Sequence, residues 1–419
     1  MMRLLCTVPI STEGYPRTES SARLVRMLDF VVVGGGIVGA ATAFQYLKRF
    51  PGHSAILLEK EPQIAQHQSG HNSGVMHSGL VYRPGSAKAA LCREGKALLE
   101  EHCQELGIPF ERCGKLIIAT REDELPRLSA LQDRAAANGV ETRRLNARAI
   151  ADVEPAARGL AALHVPETGI VDYKQVASSY LDCFQALGGE LRTDSRVRCI
   201  REESGSVWIE FNGGASPLRA RRVVTCAGLQ ADRLAEASGC ETKVRVVPFL
   251  GEYLRMKAPH CDQVRGLIYP VADPRFPFLG VHFTRRIGGA VDCGPNALPT
   301  LAREGYSRTG FNARDFVDLV SWPGTWRLAS RQMRTAAGEY WRSISKPAMA
   351  KELARLLPGV KADWLEPAPA GVRAQALDRS GKLVDDFVVH RSGNVVHLLN
   401  APSPAATSSL AIAKLLIEQ

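Results

Sequence analysis

The sequence lacks paired cysteines and long apolar runs. Its ten cysteines are scattered, and no two are spaced as Cys-x-x-Cys. A zinc ribbon, an iron–sulfur site or a dithiol redox motif is therefore not expected, and reduced thiols in a cytosolic or matrix compartment are the simplest interpretation. The longest apolar candidate, Phe30 to Phe44, is interrupted by glycines and is shorter than the roughly 18 residues of a membrane span.

Aromatic residues are few, at 6%, but apolar residues together reach 45%, which excludes a disordered or collagen-like chain. The 419 residues allow two or three domains. Lysine and arginine outnumber aspartate and glutamate by 53 to 43, a net charge of +10. This surplus is compatible with nucleic acid, an anionic membrane surface, an anionic substrate or an arginine-rich composition. Because the cations are dispersed without a recognition motif, no nucleic-acid partner is expected.

Residues 1–26 carry four arginines and two glutamates but no apolar core of a secretory signal. We interpret them as a disordered N-terminal extension, with a transit-like segment as the alternative. Since Met27 falls just before the first apolar strand, it is also a candidate start site.

Residues 29–59 have the pattern of a dinucleotide-binding unit. Asp29 to Val33 predicts a buried parallel strand, a Gly-x-Gly-x-x-Gly turn follows, Ala40 to Phe50 predicts a helix, and residues 54–59 predict a second strand. The three glycines permit the tight bend, the close approach of a pyrophosphate and the packing of helix on strand. The second strand ends in an acid about 20 residues after the last glycine, as for a carboxylate that binds a ribose diol. FAD or NAD is expected rather than NADP, with contacts from Gly34, Gly36, Ile37, Val38, Gly39, Glu59 and Lys60.

The segments that follow favour FAD over NAD. A nicotinamide dehydrogenase would continue with alternating strands and helices, whereas residues 68–79 form a loop-like run of Ser, Gly, Asn and His. Residues 222–228 predict another buried strand ending in Ala-Gly. A final helix is predicted over Ala406 to Glu418, with Ser403 as its cap and Pro404 in its first turn.

Several longer runs make a family resemblance specific. They are SGHNSGVMHSG at 69–79, CGKLIIAT at 113–120, TGIVDYKQVA at 168–177, VTCAGLQADR at 224–233, YPVADPRFPFLGVHFT at 269–284, GPNA at 294–297, GVRAQALDRSGKLVDDFV at 371–388 and NAPSPAATSSLAI at 400–412. With these runs, spread from about residue 28 to the last helix, the chain resembles the L-2-hydroxyglutarate dehydrogenase/oxidase family of D-amino-acid-oxidase-like, FAD-dependent oxidoreductases.

The resemblance implies an α/β (α+β) fold in which a Rossmann-like FAD-binding domain is intertwined with a substrate domain on a mixed or antiparallel sheet. The FAD-binding domain is expected over 27–108, 168–240 and 366–419, and the substrate domain over 109–167 and 241–365. The resemblance also places residues 402–407 at the negative charge that develops on reduced flavin. The further cofactor contacts expected are Ser73, Gly74, Val197, Ala227, Gly228, Pro402, Ser403, Pro404, Ala405, Ala406 and Thr407.

The implied activity is oxidation of L-2-hydroxyglutarate to 2-oxoglutarate, with hydride transfer from C2 to flavin N5 and electrons passed to a quinone, another carrier or oxygen. The implied location is cytoplasmic, with peripheral association at an inner membrane, or mitochondrial in a eukaryote. One residue departs from the family, which usually has an arginine where this chain has Leu250. The alternative is therefore another flavoenzyme of the same fold, an amino-acid or glycerol-3-phosphate oxidoreductase.

This chemistry needs cations for the substrate carboxylates and a base for the hydroxyl proton. Arg373 is the first expectation for a carboxylate, because a guanidinium binds it with two hydrogen bonds, and Arg285 is the second. Histidine is the usual base near neutral pH. The candidates for it are His77 and His282 at equal rank, with His71 behind them. Tyr269 could orient the substrate, although core packing is the commoner role of a buried tyrosine. No metal site is expected.

Overall fold

A computed structural model describes residues 26–273, 280–331 and 345–419. The predicted disordered extension lies outside the described residues except for Arg26, and so does the middle of the run at 269–284. Mixed helices and sheets confirm the predicted α/β fold class.

The strands, in chain order, are β1 (Met27–Val33), β2 (Ala55–Leu58), β3 (Val75–Met76), β4 (Phe110–Glu111), β5 (Lys115–Ala119), β6 (Arg143–Asn146), β7 (Ala161–Val165), β8 (Gly169–Val171), β9 (Glu190–Arg192), β10 (Val197–Glu203), β11 (Ser206–Phe211), β12 (Leu218–Thr225), β13 (Val244–Met256), β14 (Leu267–Pro270), β15 (His282–Arg285), β16 (Val291–Gly294), β17 (Leu298–Pro299), β18 (Leu365–Asp378), β19 (Val388–Ser392) and β20 (Val395–Asn400). The labelled helices are α1 (Ile37–Arg49), α2 (Ala87–Glu105), α3 (Leu125–Ala137), α4 (Ala147–Val153), α5 (Tyr173–Ala186), α6 (Ala231–Ala237), α7 (Ala313–Ser321), α8 (Lys346–Leu353) and α9 (Ser409–Glu418), and residues 323–331 are also helical.

The first sheet has a parallel centre. Strand β1 pairs in parallel with β2 and β12, β2 with β9, and β12 with β20, while β10 and β11 extend β12 as an antiparallel meander. Helices α1, α2, α5 and α9 contribute to the core on one face, and the meander and α6 to the core on the other. Burial on both faces explains why the strands are continuous apolar runs without alternation.

The second sheet has the order β17-β13-β16-β15-β14-β5-β7-β6, with β18 also paired to β13. It is antiparallel except for the pair β5 and β14. Because successive strand side chains point to opposite faces, Leu116 and Ile118 join one core while Ile117 and Tyr269 join another. We call the face that carries Ile117 and Tyr269 the site face.

A small third sheet, β3-β8-β4, connects the two large ones. Val75 of β3 and Ile170 of β8 pack in the same cluster as Ile117 and Tyr269. The glycine-rich loop 68–79, which contains β3, therefore lies against the site face.

The sheet pairing corrects one predicted boundary. The FAD-binding part was expected to resume at residue 366, but Leu365–Asp378 pairs with β13 along most of its length and so belongs to the second sheet. The first sheet resumes only at β19. A strand this long, rich in Ala, Val and Pro, does not indicate from sequence which sheet it joins.

Within residues 26–273, 280–331 and 345–419, no helix combines the length and the apolar composition that crossing a bilayer requires.

Candidate active site

The glycine turn after β1 brings three chain segments into close contact. Gly34 has φ +111, and a Cβ added there would lie 2.4 Å from the carbonyl oxygen of Cys226. A Cβ on Gly39 would lie 1.9 Å from the carbonyl oxygen of Gly34. No other residue fits at either position, so α1 can start directly on the end of β1.

The predicted ribose acid and the start of α1 fit a dinucleotide. Glu59 is buried, and its carboxylate accepts hydrogen bonds from the N–H groups of Gly35 at 2.7 Å and Glu61 at 2.9 Å. The first turn of α1 contains no acid, and the Ile37 N–H donates to Ser69 Oγ at 2.9 Å. A helix N-terminus without an acid attracts a pyrophosphate, and a fixed carboxylate with free lone pairs can accept from a ribose diol. The residues present therefore fit FAD.

Two more segments with predicted cofactor contacts flank the turn. The Cys226 N–H donates to the carbonyl of Val33 at 2.7 Å, which brings Ala227 and Gly228 alongside. On the other side, β10 begins at Val197. Two residues earlier, the Ser195 N–H donates to the backbone carbonyl of Glu59 at 2.8 Å.

Lys60, predicted to contact the cofactor, is part of a compact charged cluster. Its ammonium contacts Glu61, Glu304 at 3.1 Å and His67 Nε2 at 3.0 Å. The hydrogen bond from Lys60 lowers the pKa of Glu61 to about 2. Glu61, His67 and Glu304 lie close enough together to ligate a metal, but the ammonium already supplies the positive charge there.

The C-terminal loop 402–407 is tied to the glycine-rich loop. The buried Thr407 Oγ1 lies 2.7 Å from the Tyr173 hydroxyl and accepts from the His77 N–H at 3.1 Å. Ser403 Oγ lies 3.2 Å from His77 Nε2. These contacts hold the loop beside His77.

The predicted start of the last helix is wrong by three residues. The helix is Ser409–Glu418, and Ser408 occupies its N-cap position. Ser403 does not cap it, because residues 403–408 form turns and the Ser403 side chain is directed to His77. The Pro, Ala and Ser composition suits a first helical turn and a tight loop equally, so it could not separate the two.

Ser73 and Gly74 lie where the glycine-rich loop enters β3. The Gly74 N–H donates to Asn72 Oδ1 at 2.8 Å, and its carbonyl accepts from Val171 at 2.9 Å. This part of the loop is therefore fixed by the third sheet.

The four residues His77, His282, Tyr269 and Lys115 form what we call the histidine cluster. The His282 ring stacks on Tyr269 with centroids 3.9 Å apart. The Lys115 ammonium lies 3.8 Å from the centroid of the Tyr269 ring. The strand register places Lys115, Tyr269 and His282 together on the site face, and His77 reaches them from the glycine-rich loop.

Burial keeps both histidines of the cluster neutral at neutral pH. Desolvation lowers the pKa of His77 to about 3 and that of His282 to about 3, and the Lys115 charge adds to both effects. His282 Nδ1 lies 2.8 Å from the Gly280 carbonyl. Because a carbonyl only accepts, Nδ1 carries the proton and Nε2 keeps a free lone pair. Burial also lowers the pKa of Lys115 to about 8, so its ammonium persists at neutral pH.

Arg373 lies near this cluster. Burial lowers the pKa of His282 and raises that of Tyr269, and the nearby Arg373 charge adds to the first shift and opposes the second. Leu250, the departure from the family pattern, does not lie near the cluster. It belongs to an apolar cluster with Val372, and the strand pairing places Leu250 and Val372 on the face opposite to Arg373. The lost guanidinium is therefore replaced by an ordinary core contact.

Two predicted substrate residues have partners within the protein. Arg285 alternates with His282 along β15, so its side chain points away and binds the Glu111 carboxylate. His71 Nδ1 donates to the Ala370 carbonyl at 2.8 Å, and its ring stacks on Tyr306 at 4.3 Å. Both side chains have structural partners.

Sequence reasoning missed Lys115 and Ser69. Lys115 is the first residue of an otherwise apolar strand, Lys-Leu-Ile-Ile-Ala. A lysine in so apolar a strand, on the same face as Ile117, could have indicated a buried cation. Ser69 stands beside the residues predicted to contact the cofactor, but nothing in its spacing indicated the start of α1.

The fold and site can now be compared with known proteins. The FAD dependent oxidoreductase family matches residues 29–419, so the chain belongs to this class of flavoenzyme, with FAD as cofactor. Enzymes of this class act on a small-molecule substrate and pass its electrons to an acceptor.

The relatives narrow the family. The mitochondrial L-2-hydroxyglutarate dehydrogenase of Nematostella vectensis is 46% identical over 93% of this chain and 90% of that protein. The L-2-hydroxyglutarate dehydrogenase of Indibacter alkaliphilus is 45% identical over 92% of this chain and 97% of its own length. The mitochondrial L-2-hydroxyglutarate dehydrogenase of Homo sapiens is 46% identical over 93% of this chain and 88% of that protein. Within the flavoenzymes, the chain belongs to the L-2-hydroxyglutarate dehydrogenase family, which confirms the predicted family.

Solved structures support the fold alone. L-alpha-glycerophosphate oxidase from Mycoplasma pneumoniae, with FAD bound, matches with a TM-score of 0.77 at 20% identity over 94% of both chains. Glycine oxidase from Geobacillus kaustophilus matches with a TM-score of 0.68 at 19% identity, also over 94% of both chains.

Proposed function

We propose that this protein is an FAD-dependent enzyme that oxidises L-2-hydroxyglutarate to 2-oxoglutarate. The observation that carries the proposal is the 45–46% identity with enzymes of that name over more than nine tenths of the chain. Bound FAD supplies the oxidant, which takes up the hydride from C2 of the substrate.

His282 Nε2 accepts the hydroxyl proton. This nitrogen keeps its lone pair because Nδ1 donates to the Gly280 carbonyl, and burial keeps the ring neutral. His77 Nε2 already lies at hydrogen-bond distance from Ser403 Oγ, so His77 positions the substrate and the C-terminal loop. The proton leaves on His282 as the C2 hydride departs, which balances the oxidation of an alcohol to a ketone.

Arg373 binds the carboxylate beside the reacting carbon. Its charge already acts on His282 and Tyr269, so an anion held there lies next to the base. A guanidinium holds a carboxylate with two parallel hydrogen bonds, which fixes the orientation of C2.

The remaining features follow the family. A quinone or another carrier is the proposed electron acceptor, with oxygen as the alternative. The proposed location is cytoplasmic with peripheral membrane association, or mitochondrial in a eukaryote, since the animal relatives carry that word in their names.

The test is anaerobic reduction of the purified holoenzyme. We expect L-2-hydroxyglutarate to bleach the visible flavin absorbance, and the D enantiomer to leave it unchanged. Glycerol 3-phosphate and glycine test the alternative, because solved enzymes of the same fold include a glycerophosphate oxidase and a glycine oxidase. Bleaching by either of these, with none by L-2-hydroxyglutarate, would overturn the proposal.

A further inference from the structure

Among the described residues, Lys115 differs from the other buried lysines in lacking a carboxylate partner. Lys115 is only 6% exposed, but no acid among the described residues lies at ion-pair distance from Nζ. Lys88, equally buried, pairs with Asp385 at 2.9 Å, and Lys96 pairs with Glu100 at 2.9 Å.

The Lys115 ammonium makes no hydrogen bond to another described residue. Among the described residues, the ammonium contacts the face of the Tyr269 ring at 3.8 Å, which carries no negative charge. Lys115 also lines a small cavity together with His77, Ser78 and Thr168. A buried cation without an anion is costly, and the cost is offset when a carboxylate binds it.

The position of Lys115 relative to the base indicates which carboxylate it meets. His282 and the Lys115 ammonium both lie within 4 Å of the Tyr269 centroid, at 3.9 and 3.8 Å. They occupy opposite faces of that ring, because both cannot fit on one face at such distances. The ring therefore separates Lys115 from the nitrogen that receives the hydroxyl proton. Burial is the main cause of the lowered pKa of His282, and the charges of Lys115 and Arg373 both add to it.

We propose that Lys115 Nζ binds the distal carboxylate of the substrate, the one remote from the hydroxyl-bearing carbon, and thereby selects 2-hydroxy dicarboxylates over 2-hydroxy monocarboxylates. The inference rests on the proposed function and adds a specificity-determining residue to it. Two carboxylates then meet two cations, Arg373 near the reacting carbon and Lys115 at the far end.

The experiment compares two substrates of equal carbon number in Lys115→Met holoenzyme. L-2-hydroxyglutarate carries the distal carboxylate, and L-2-hydroxypentanoate lacks it. We expect kcat/KM for the dicarboxylate to fall about 100-fold, as for loss of a charged hydrogen bond, while the value for the monocarboxylate changes less than about threefold. Lys88→Met is the matched control, a buried lysine that also lies over a tyrosine ring but is ion-paired. Its substrate ratio should stay at the wild-type value.

Equal losses on both substrates would overturn the proposal, since they would mean a general effect on the site. Glutarate gives a readout without turnover, because its binding perturbs the absorbance of bound flavin. We expect its Kd to rise about 100-fold in Lys115→Met and Lys115→Gln, and an unchanged Kd in either flavin-loaded variant would also overturn the proposal.

The two proposals fail separately. If wild-type holoenzyme is not reduced by L-2-hydroxyglutarate but binds glutarate through Lys115, the proposed function is wrong and the carboxylate site is supported. If the wild-type enzyme is reduced and the Lys115→Met substrate ratio is unchanged, only the Lys115 proposal is wrong.

Discussion

The nucleotide end and the substrate end of this site treat charge in opposite ways. At the nucleotide end, Glu59 accepts from two backbone N–H groups and Lys60 contacts two glutamates. At the substrate end, His282 is neutral and Lys115 is buried without an acid among the described residues. The charged side chains of the first end are paired within the protein itself. The second gains its counter-charge only when an anionic substrate arrives, which is how a site can bind one strongly.

The largest expected effect is loss of FAD binding at the nucleotide end. Gly39→Ala would place a Cβ 1.9 Å from the Gly34 carbonyl oxygen. Because backbone cannot move aside cheaply, we expect the purified variant to lose nearly all bound FAD, as measured by visible absorbance per protein. Gly107→Ala, where an added Cβ meets nothing within 4 Å, is the control. It should keep its flavin and lose only about 1 kcal/mol of stability, because its φ is positive. Full flavin occupancy in Gly39→Ala would show that the turn is more adaptable than its geometry implies.

The next largest effect tests which histidine at the substrate end is the base. His282→Asn removes the nitrogen that receives the hydroxyl proton, so kcat should fall by about 10²–10⁴ with flavin content unchanged. His77→Asn should cost less, because His77 Nε2 is already near Ser403. Stopped-flow reduction by L-2-hydroxyglutarate measures both. If the rate of flavin reduction falls equally in the two variants, or falls further in His77→Asn, His282 is not the base.

A smaller effect concerns substrate binding. Arg373→Ala should raise KM about 10- to 100-fold, the value of a charged hydrogen bond, and change kcat less. Arg285→Ala should behave as wild type, since Arg285 binds Glu111 on the opposite side of β15. Steady-state kinetics distinguish them, and an unchanged KM in Arg373→Ala would remove this residue from the carboxylate site.

The smallest effect is on pH dependence. Burial lowers the pKa of Lys115 to about 8, so its charge is present below pH 8 and lost above it. We expect kcat/KM to fall by up to about tenfold per pH unit above 8, mainly through KM. The lowered pKa values of His77 and His282, each about 3, mean that both stay neutral as the pH falls from 7 to 5. A pH profile of wild type and Lys115→Met tests this, since the variant should lack the alkaline fall.

How much the sequence predicts also differs between the two ends. The glycine turn and Glu59 are local in sequence, and their roles depend on backbone geometry that the residue types themselves require, so their places were predictable. Lys115, Tyr269 and His282 come from three strands whose pairing is non-local. Only the register shows that they share a face and that Arg285 does not. The same reason explains why the sheet of β18 could not be predicted.

The Thr407 contacts have a consequence for how the protein is made. This hydroxyl joins Tyr173 to the backbone of His77, and α9 packs on α1 beyond it. A ribosome that has released the first three hundred residues has therefore produced every group of the histidine cluster, but not the loop that fastens His77. The loop follows the last member of the cluster, His282, by more than a hundred residues, so a chain cut before residue 402 would carry all four side chains but lack the contacts that hold His77.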